Sequence, residues 1–598
     1  MRDCFLSTAL LLTLLLVGML ALAFEVQPVG AVGTVYIRAD GSVDPPSAPI
    51  SSLDNVTYTF TGNVNDSIVV ERDNIVVDGA GYAVQGTGSG NGIDLSGRSN
   101  VTIKNVNVVA FNYGIYLNGG SGNTLTGNNI TANANYGIYL YGSTHNSITQ
   151  NTIANNEWHG VWLFSSSNGN IISHNNVTSN SHGIAVTSSS NCIVSCNNIT
   201  INGDGIWLSG ANCIIYNNSI TNNDNGIGGA SSNCIVSCNN ITNNGYGIDL
   251  SNSNNNNISY NNITANNYGG IDLSYSSNGN TISHNNIIAN DYWGIWLSYS
   301  SNNNNISYNN ITNNYDGIDL SYSSNGNTIS HNNITSNRYG IDLDFSSANN
   351  VIYHNNFVNN TFSASTFYPG ENVWHDGYPS GGNYWSDYTG ADLFSGPYQN
   401  ETGSDGIGDK LYIIDGYNWD RYPLMKPYPW SQHDIGITNI APLKTVIGQG
   451  FTVHFSVSTF NYGNNTENFN VTLLANTTSI ASQTITLASR NSTTITFTWN
   501  TTGFAKGKYT IKAYAWPVQG EADTADNTFS DGTVYVSIPG DVNADTVVDI
   551  FDLITVANSY GSGPDDPKWN PNADINGDNT IDIFDLVTIA KHYGQTDP

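Results

Sequence analysis

The chain has 598 residues and a formal net charge of −30 at pH 7, although only 10% of its residues are charged. This length is too great for one ordinary domain, so we expect several. The acidity argues against nucleic acid as a partner and against anionic membrane surfaces. The acidity is compatible with calcium binding and with a saline extracellular environment, and it is equally compatible with a surface that is merely soluble.

The N-terminus has the features of a secretory signal peptide. Arg2 gives a short basic start, and residues 10–22 form an apolar run that ends in a small-x-small cleavage pattern. We expect a signal peptide over residues 1–23 and a secreted, extracellular protein, free or associated with the cell surface. The run is too short to span a membrane, and we expect no membrane span after cleavage.

A Gly-Ile-x-Leu-like phrase recurs every 21 to 24 residues across the middle of the chain. Its glycines are Gly92, Gly114, Gly137, Gly160, Gly183, Gly205, Gly226, Gly247, Gly270, Gly294, Gly317 and Gly340. Each phrase has the alternation of a short strand and is bounded by Asn, Ser and Gly. Such strands bury their apolar side chains when coil stacks on coil, so the repeat predicts a solenoid that rises by roughly 4.8 Å per coil.

Two asparagine columns support stacked coils. The first lies two residues before the isoleucine of a second, Asn-Asn-Ile-Thr-like phrase: Asn128, Asn151, Asn175, Asn197, Asn218, Asn239, Asn261, Asn285, Asn309, Asn332 and Asn355. The second lies seven residues before the same isoleucine: Asn123, Asn146, Asn170, Asn256, Asn280, Asn304, Asn327 and Asn350. Asparagine tolerates left-handed backbone at a bend, and its amide can bond to the asparagines above and below.

Cysteine replaces asparagine in three middle coils of the second column, at Cys192, Cys213 and Cys234. We expect these side chains to be small apolar fillers, with a disulfide or a soft-metal site as the alternatives. Cys196 and Cys238 stand in another column, two coils apart, which is too far for them to bridge each other.

Segments at the two ends of the repeat carry further motifs. The repeat opens with residues 73–79 (DNIVVDG) and closes with 382–388 (GNYWSDY), 405–409 (DGIGD) and 421–425 (RYPLM). This arrangement resembles the right-handed parallel β-helix repeats of the NosD-type family, also described as carbohydrate-binding and sugar-hydrolase β-helices. The resemblance implies a strand-rich cap over residues 24–69, a β-helix over 70–360, and a closing segment and linker over 361–432.

The x residues of the Gly-Ile-x-Leu phrases should form a column that points away from the core. The candidate carbohydrate-binding residues of this column are Tyr116, Tyr139, Trp162, Trp207, Asp249, Asp272 and Trp296. An exposed row of rings and carboxylates suits sugar binding, because ring faces stack on pyranose rings and carboxylates accept hydroxyl hydrogen bonds. The alternative is that the rings only stack on one another along the sheet.

Paired carboxylates are the minimum for glycoside hydrolysis. Asp342 and Asp344 stand two residues apart on one face, and Asp319 lies one coil away. These three are the candidate catalytic acids if the β-helix is a hydrolase of O-glycosyl bonds, although aspartate is also common at turns and edges. For His331 and His354, on adjacent coils, we favour paired stacking over a shared copper ion.

The composition changes near His433, and four later stretches alternate as strands do: residues 451–457, 493–499, 508–514 and 533–536. Strands at this spacing predict an Ig-like β-sandwich over residues 433–537. Residues 434–437 (DIGI), 497–499, 507–509 and the acidic 521–527 resemble the cell-adhesion-related domain of bacterial and archaeal surface proteins. We favour a spacer role for this domain over a specific adhesin.

Two C-terminal segments share one acidic spacing. The first loop contains Asp541, Asn543, Asp545, Val547, Asp549 and Asp552, and the second contains Asp574, Asn576, Asp578, Thr580, Asp582 and Asp585. These are EF-hand loop positions 1, 3, 5, 7, 9 and 12, where oxygen ligands wrap one Ca²⁺ and position 7 contributes a main-chain carbonyl. The spacing therefore predicts two Ca²⁺ ions. Each loop leads into a helical pattern that ends at a Tyr-Gly stop.

This duplicated loop, with no helix entering its first copy, resembles a type I dockerin over residues 539–598. The resemblance implies a cohesin-like protein partner. Position 6 of the two loops is Thr546 and Asn579 instead of glycine. Positions 10 and 11 are Ile-Phe in both copies, at residues 550–551 and 583–584, whereas the pair that contacts the partner in this family is usually more polar. Docking onto a domain of the same chain is therefore the alternative.

The sequence thus predicts a mainly β chain: a parallel β-helix, then a sandwich, then a small α-helical calcium module. We expect a non-catalytic protein that binds or presents itself to extracellular polysaccharide and docks to a partner. The alternatives are a polysaccharide-degrading hydrolase of a dockerin-bearing system and a purely structural surface-layer or adhesion component.

Overall fold

The computed structural model describes residues 33–596 apart from 369, 429–432, 464, 489–490, 522–523, 525, 565 and 567. The predicted signal peptide lies outside the described residues. The chain divides into two compact units, Met1–Tyr428 and Pro429–Pro598, and each is described by itself. Over the described part of the chain, no helix is both long enough and apolar enough to span a membrane.

The first unit is a parallel β-helix with three long sheets, named here sheets 1, 2 and 3. Sheet 1 has 16 strands: Val35–Ile37, Val43–Asp44, Ile68–Val70, Asn91–Asp94, Tyr113–Asn118, Tyr136–Tyr141, His159–Phe164, His182–Ser190, Asp204–Ala211, Asn225–Gly229, Tyr246–Ser251, Ile271–Ser274, Trp293–Leu297, Asp316–Leu320, Tyr339–Asp344 and Phe362–Phe367. Sheet 2 has 15 strands: Ile50–Ser51, Thr57–Phe60, Val76–Asp78, Thr102–Lys104, Thr124–Thr126, Ser147–Thr149, Ile171–Ser173, Ile193–Ser195, Ile214–Tyr216, Ile235–Ser237, Asn257–Ser259, Thr281–Ser283, Asn305–Ser307, Thr328–Ser330 and Val351–Tyr353. Sheet 3 has 14 strands: Ala83–Gln85, Asn107–Val109, Asn129–Thr131, Thr152–Ala154, Asn176–Thr178, Asn198–Thr200, Ser219–Thr221, Asn240–Thr242, Asn262–Thr264, Asn286–Ile288, Asn310–Thr312, Asn333–Thr335, Asn356–Val358 and Tyr384–Trp385.

Each repeat adds one strand to each sheet, and neighbouring coils pair in register. Ile115 is the partner of Ile138, which is the partner of Val161, and all three side chains are fully buried. The repeat glycine is required because the coils approach closely there: a Cβ on Gly114 would lie 2.5 Å from the carbonyl oxygen of Gly137. Burial of these aliphatic columns is the main stabilising term of the solenoid.

Both predicted asparagine columns are confirmed as ladders. In the first, the main-chain and side-chain N–H groups of Asn285 both donate to Oδ1 of Asn309, at 3.0 Å each. The structure adds a third ladder, which the sequence analysis did not single out: Asn133, Asn156, Asn180, Asn202, Asn223, Asn244, Asn266, Asn290, Asn314, Asn337 and Asn360. These buried amides satisfy one another and the backbone at the bends, so their hydrogen bonds offset the desolvation cost of the polar groups in the turns.

The three stacked cysteines lie inside the second ladder as buried free thiols. Cys213 N–H donates to Sγ of Cys234 at 3.2 Å, and Cys234 N–H donates to Oδ1 of Asn256 at 2.9 Å. Sulfur therefore takes the acceptor position that the asparagine oxygen holds elsewhere in the ladder.

The closing segment covers the C-terminal end of the solenoid with four short strands: Phe394–Ser395, Glu401–Thr402, Tyr412–Ile413 and Trp419–Asp420. Asp420 is fully buried, where Oδ2 accepts hydrogen bonds from Trp385 Nε1 and Asn383 N–H, and burial raises its pKa to about 7. Asp409 accepts from two backbone N–H groups and Asp405 from one. Both of these carboxylates thus organise turns.

The second unit joins a β-sandwich to two short helices. One sheet contains Ile435–Pro442, Thr452–Asn461 and Ser492–Asn500, and the other contains Val446–Gly448, Thr528–Ser537, Gly507–Ala515, Glu467–Ala475 and Thr478–Leu487. These strands include all four predicted stretches, and their inward side chains form one core. The helices are α1, Ile550–Asn558, and α2, Ile583–His592.

Candidate functional site

The outward column of sheet 1 is formed as predicted. Strand register aligns Tyr116 with Tyr139, Tyr139 with Trp162, and, further along, Asp249 with Asp272 and Asp272 with Trp296. Trp207 occupies the same column, opposite Ala185 and Gly228. The predicted exposure of this column is wrong, however: the rings are half-buried, and Asp272 is only 7% exposed.

The rings of this column are half-buried because a second aromatic row flanks them. Tyr113 and Tyr136, each directly before a repeat glycine, pack on the column with ring centroids 5.4 Å from Tyr139. Tyr136 also lies 4.8 Å from Trp162. This packing confirms that the rings stack along the sheet. It leaves a continuous half-buried aromatic surface, and burial raises the pKa of Tyr139 to about 12.

Four aspartates lie together on two adjacent coils further along sheet 1. Asp319 is in register with Asp342, while Asp316 and Asp344 belong to the same two strands. Burial, with help from neighbouring carboxylates, raises the pKa of Asp316 to about 7 and that of Asp344 to about 6. Burial also raises the pKa of Asp342, and it raises that of Asp319 well above the usual range. Within the described structure, Oδ1 of each of the four is buried without a hydrogen-bond partner.

The structure thus brings the three predicted acids together and adds Asp316, which the sequence analysis missed. Asp316 is only 7% exposed and stands directly before Gly317. The sequence could have indicated Asp316, because it occupies the position directly before a repeat glycine. Residues of the second aromatic row occupy the same position in other coils.

An exposed row of aromatic rings, which the sequence analysis also missed, follows the column. Tyr275, Tyr299, Tyr322 and Phe345 each stand five residues after a repeat glycine. Their centroids are 4.6 to 4.8 Å apart and their planes are within 6° of parallel. Because neighbouring rings cover one another's faces, this row presents ring edges to solvent, which suits sugar stacking less well than open faces do.

His331 and His354 lie beside each other, with Nε2 of His331 3.4 Å from Nδ1 of His354. Their rings meet edge to face, at an interplanar angle of 74°, and not in the predicted stacked arrangement. Tyr428 stacks on His354 with ring centroids 3.9 Å apart. Nε2 of His354 lies 3.0 Å from the carbonyl oxygen of Ser380. The pair therefore lies within an aromatic and hydrogen-bonded stack.

The two acidic loops of the second unit adopt the same fold. In each loop the position 1 aspartate is buried and its carboxylate accepts backbone N–H bonds from within the loop, as Asp541 does from Ala544 and Thr546. The position 12 aspartate closes the loop: Asp552 Oδ1 accepts from Val542 N–H and Oδ2 from Asp549 N–H. Asp585 makes the equivalent bonds in the second loop.

The ligand atoms of the first loop already converge. One carboxylate oxygen from each of Asp541, Asp545 and Asp552 lies within 4.8 Å of the others. All six oxygen-bearing positions predicted for each loop lie along these turns, and hard oxygen donors in this arrangement fit Ca²⁺.

The backbone at position 6 and the N-terminal caps of the two helices also agree with an EF-hand-like loop. Thr546 and Asn579, at position 6, have φ values of 74° and 65°, the region in which this position usually carries glycine. Asparagine tolerates that conformation better than the β-branched threonine does. Asp549 and Asp582 begin α1 and α2 with capping boxes.

The two helices expose matching apolar side chains. Ile550 and Phe551 on α1 are 46% and 62% exposed, and Ile583 and Phe584 on α2 are 52% and 63% exposed. The Ile-Phe pairs at positions 10 and 11 thus lie on the surface in both copies. Such exposed apolar groups are typical of a protein-binding surface.

The sandwich contacts both loops. Lys444, 3% exposed, donates through Nζ to the carbonyl oxygen of Asp574 and lies 3.7 Å from its Oδ2. Ser537 Oγ donates to Oδ2 of Asp541. Asn572 Oδ1 accepts from the N–H groups of Thr445 at 2.9 Å and Val446 at 3.2 Å. The module that contains the two loops and helices therefore packs on the sandwich of its own chain.

A further acidic group in the sandwich comes from the segment singled out in the sequence. One oxygen from each of Asp434, Glu521 and Asp526 lies within 4.8 Å of the others. Glu521 accepts from the N–H groups of Ile435 and Val518. This group connects the first strand of the sandwich to the turn before its last strand.

Four family models match the chain. Right handed beta helix region matches residues 53–199 and 179–306, and Periplasmic copper-binding protein (NosD) matches 266–390. CARDB matches residues 432–530, and Dockerin type I domain matches 539–592. The chain combines a right-handed β-helix with a CARDB domain and a type I dockerin domain. A β-helix joined to a dockerin indicates an extracellular modular protein, and dockerin domains in general bind calcium and a cohesin.

No curated protein matches the chain. Among solved structures, a CARDB domain from Pyrococcus furiosus in complex with di-metal ions is 22% identical, covering 18% of this chain and 96% of that one, with a TM-score of 0.16. A domain of a putative cell surface protein from Methanosarcina acetivorans is 28% identical, covering 17% and 91%, with a TM-score of 0.15. The A-module of a mannuronan C-5 epimerase from Azotobacter vinelandii is 14% identical, covering 48% and 88%, with a TM-score of 0.32.

Proposed function

We propose that this chain is a secreted, non-catalytic polysaccharide-binding protein whose dockerin binds two Ca²⁺ ions and docks to a protein partner. The observation that carries the proposal is the pair of matching loops, each with a buried position 1 aspartate and each followed by a helix with an exposed Ile-Phe pair. Calcium would neutralise the converging carboxylates and hold both helices in place.

The partner surface would be the exposed face of α1 and α2. A cohesin that binds Phe551 and Phe584 must offer an apolar surface, because burying these rings against polar groups would leave the partner's polar atoms without hydrogen bonds. The docking of the dockerin on its own CARDB domain leaves both rings exposed. Own-chain docking and partner docking are therefore compatible, since they use different faces.

The polysaccharide surface would be the aromatic part of sheet 1. Tyr116, Tyr139 and Trp162 lie on three successive coils and together present a half-buried aromatic surface. Sugar rings stack on such surfaces, and the half-buried rings lose little conformational freedom when a glycan binds.

Retention of the chain in gels that contain xylan, mannan or alginate tests this surface. We expect retention by at least one polymer, lost in a Tyr139→Ala, Trp162→Ala variant. Trp516→Ala is the matched control, because Trp516 is 54% exposed but belongs to the CARDB domain and not to sheet 1. Absence of retention by every polymer would support the structural alternative, a surface-layer or adhesion component without a glycan ligand.

A hydrolase of O-glycosyl bonds is the second candidate, and the four-aspartate group favours it. An acid with a raised pKa, such as Asp319, can protonate a leaving group at neutral pH, while a neighbouring carboxylate such as Asp342 acts as base or nucleophile. Release of reducing sugar, abolished by Asp319→Asn and by Asp342→Asn, would establish this function. Retention without release would support the non-catalytic proposal.

A further inference from the structure

The CARDB domain supplies one side chain to the first ligand of each calcium loop. Ser537, at the end of the last CARDB strand, donates its hydroxyl to Asp541 Oδ2. Lys444 places its ammonium on Asp574, with the Lys444 side chain 3% exposed and that of Asp574 1% exposed. The position 1 and position 12 aspartates accept matching backbone hydrogen bonds in the two loops, but one loop contacts a neutral hydroxyl and the other a buried cation.

The contact that places Lys444 is tightly packed. Asn572 binds the backbone of Thr445 and Val446, the two residues that follow Lys444. A cavity between the two domains, lined by Lys444, Gly448, Asp541 and Asp574 among others, has a volume of only about 10 Å³. Phe451 of the CARDB domain packs against the dockerin core as well as its own. The ammonium is therefore held beside the loop by its surroundings and is shielded from water.

We propose that Lys444 makes the two calcium sites unequal, so that the second loop binds Ca²⁺ more weakly than the first. The inference rests on the proposed calcium function and deepens it. A fixed positive charge beside Asp574 repels a dication and offsets part of the negative charge of that loop. Charges a few ångströms apart and shielded from water interact strongly. Ser537 has no such effect on the first loop, because its hydroxyl is neutral.

The CARDB domain is thus part of the calcium-binding unit. A dockerin docked on Lys444 keeps its first site filled at calcium concentrations that leave the second site partly empty. The second helix then becomes ordered for its partner only at higher calcium, which would give the module a graded response to the ion.

Calorimetric titration of the full mature chain with CaCl₂ tests the inference. We expect two sites whose Kd values differ at least tenfold, with the weaker one removed by Asp574→Ala and the tighter one by Asp541→Ala. Lys444→Gln keeps a donor for the Asp574 carbonyl but removes the charge, and it should tighten the weaker site about tenfold. Lys444→Arg keeps the charge and should leave that site weak, and Ser537→Ala should not tighten it.

Two equal sites that Lys444→Gln leaves unchanged would overturn the inference while calcium binding stands. Loss of the second site in Lys444→Gln, with the first site and the circular dichroism spectrum intact, would also overturn it, because the lysine would then support the loop. A chain that binds no calcium at all would overturn both this inference and the proposed function.

Discussion

Asp319 and Asp342 are Cα partners on adjacent strands of sheet 1, so two carboxyl groups with raised pKa values lie one coil apart. Asp316 and Asp344 belong to the same group, and Asp272 lies two coils away with a pKa that burial raises to about 8. The β-helix thus buries several carboxyl groups whose pKa values are raised by burial. This has a measurable effect on stability.

The β-helix should lose stability as pH rises from about 4 to about 8. In this window the unfolded chain has released these protons while the folded chain still holds them, so raising the pH favours unfolding. Each such carboxyl removes up to about 1.4 kcal/mol per pH unit. Urea denaturation followed by circular dichroism at pH 5 and pH 8 measures the loss.

A Asp316→Asn, Asp319→Asn variant should show a smaller loss between the two pH values than the wild type does. Asp291→Asn is the control, since Asp291 is an exposed aspartate on the preceding coil. Equal pH dependence in the wild type and the double variant would contradict the assignment of this effect to the buried group.

Replacement of one ladder asparagine should destabilise the solenoid strongly. Asn309 is fully buried, and its amide accepts two bonds from Asn285 and donates to Asn332. Asn309→Ala leaves several buried groups unpaired, at about 1–3 kcal/mol each, so we expect a loss of at least ~3 kcal/mol. Denaturant unfolding measures it.

Asn305→Ala provides the comparison on the same coil, because the side chain of Asn305 is exposed. We expect its effect to stay within about 0.5 kcal/mol. Similar losses for the two variants would mean that the ladder bonds contribute little to stability.

Glycine at position 6 should improve the first calcium loop. Thr546 has a φ of 74°, which costs a β-branched residue on the order of 1 kcal/mol or more. Thr546→Gly removes this strain, and we expect calcium to bind that loop about fivefold more tightly in calorimetry. Asn579→Gly should change the second loop less, because asparagine tolerates this conformation. A weaker first site in Thr546→Gly would show that rigidity of the threonine matters more than its strain.

Most of the fold could be predicted from the sequence because the repeat is strict. A period of 21 to 24 residues with a fixed glycine fixes which side chains share a column, and the Asn128 and Ile115 columns follow directly. The loops were predictable for the same reason, since their ligands are close in sequence. The third asparagine ladder, which includes Asn133, was readable in the same way but was overlooked.

Exposure and long-range contacts could not be predicted in this way. Whether Trp162 is open or half-buried depends on the size of Tyr136 beside it, which a single column does not reveal. Lys444 and Asp574 are 130 residues apart and share no local pattern. Only the packing of the two domains brings this cation to the calcium loop.

Calorimetric titration of the mature chain with Ca²⁺, in parallel with a variant that carries both Asp541→Ala and Asp574→Ala, tests whether the two loops bind calcium. Both aspartates hold position 1 of their loops and are buried. We expect about two ions to bind to the wild type and binding to be lost in the double variant while the β-helix stays folded. A wild-type chain that binds no calcium, or a double variant that binds as the wild type does, would contradict it.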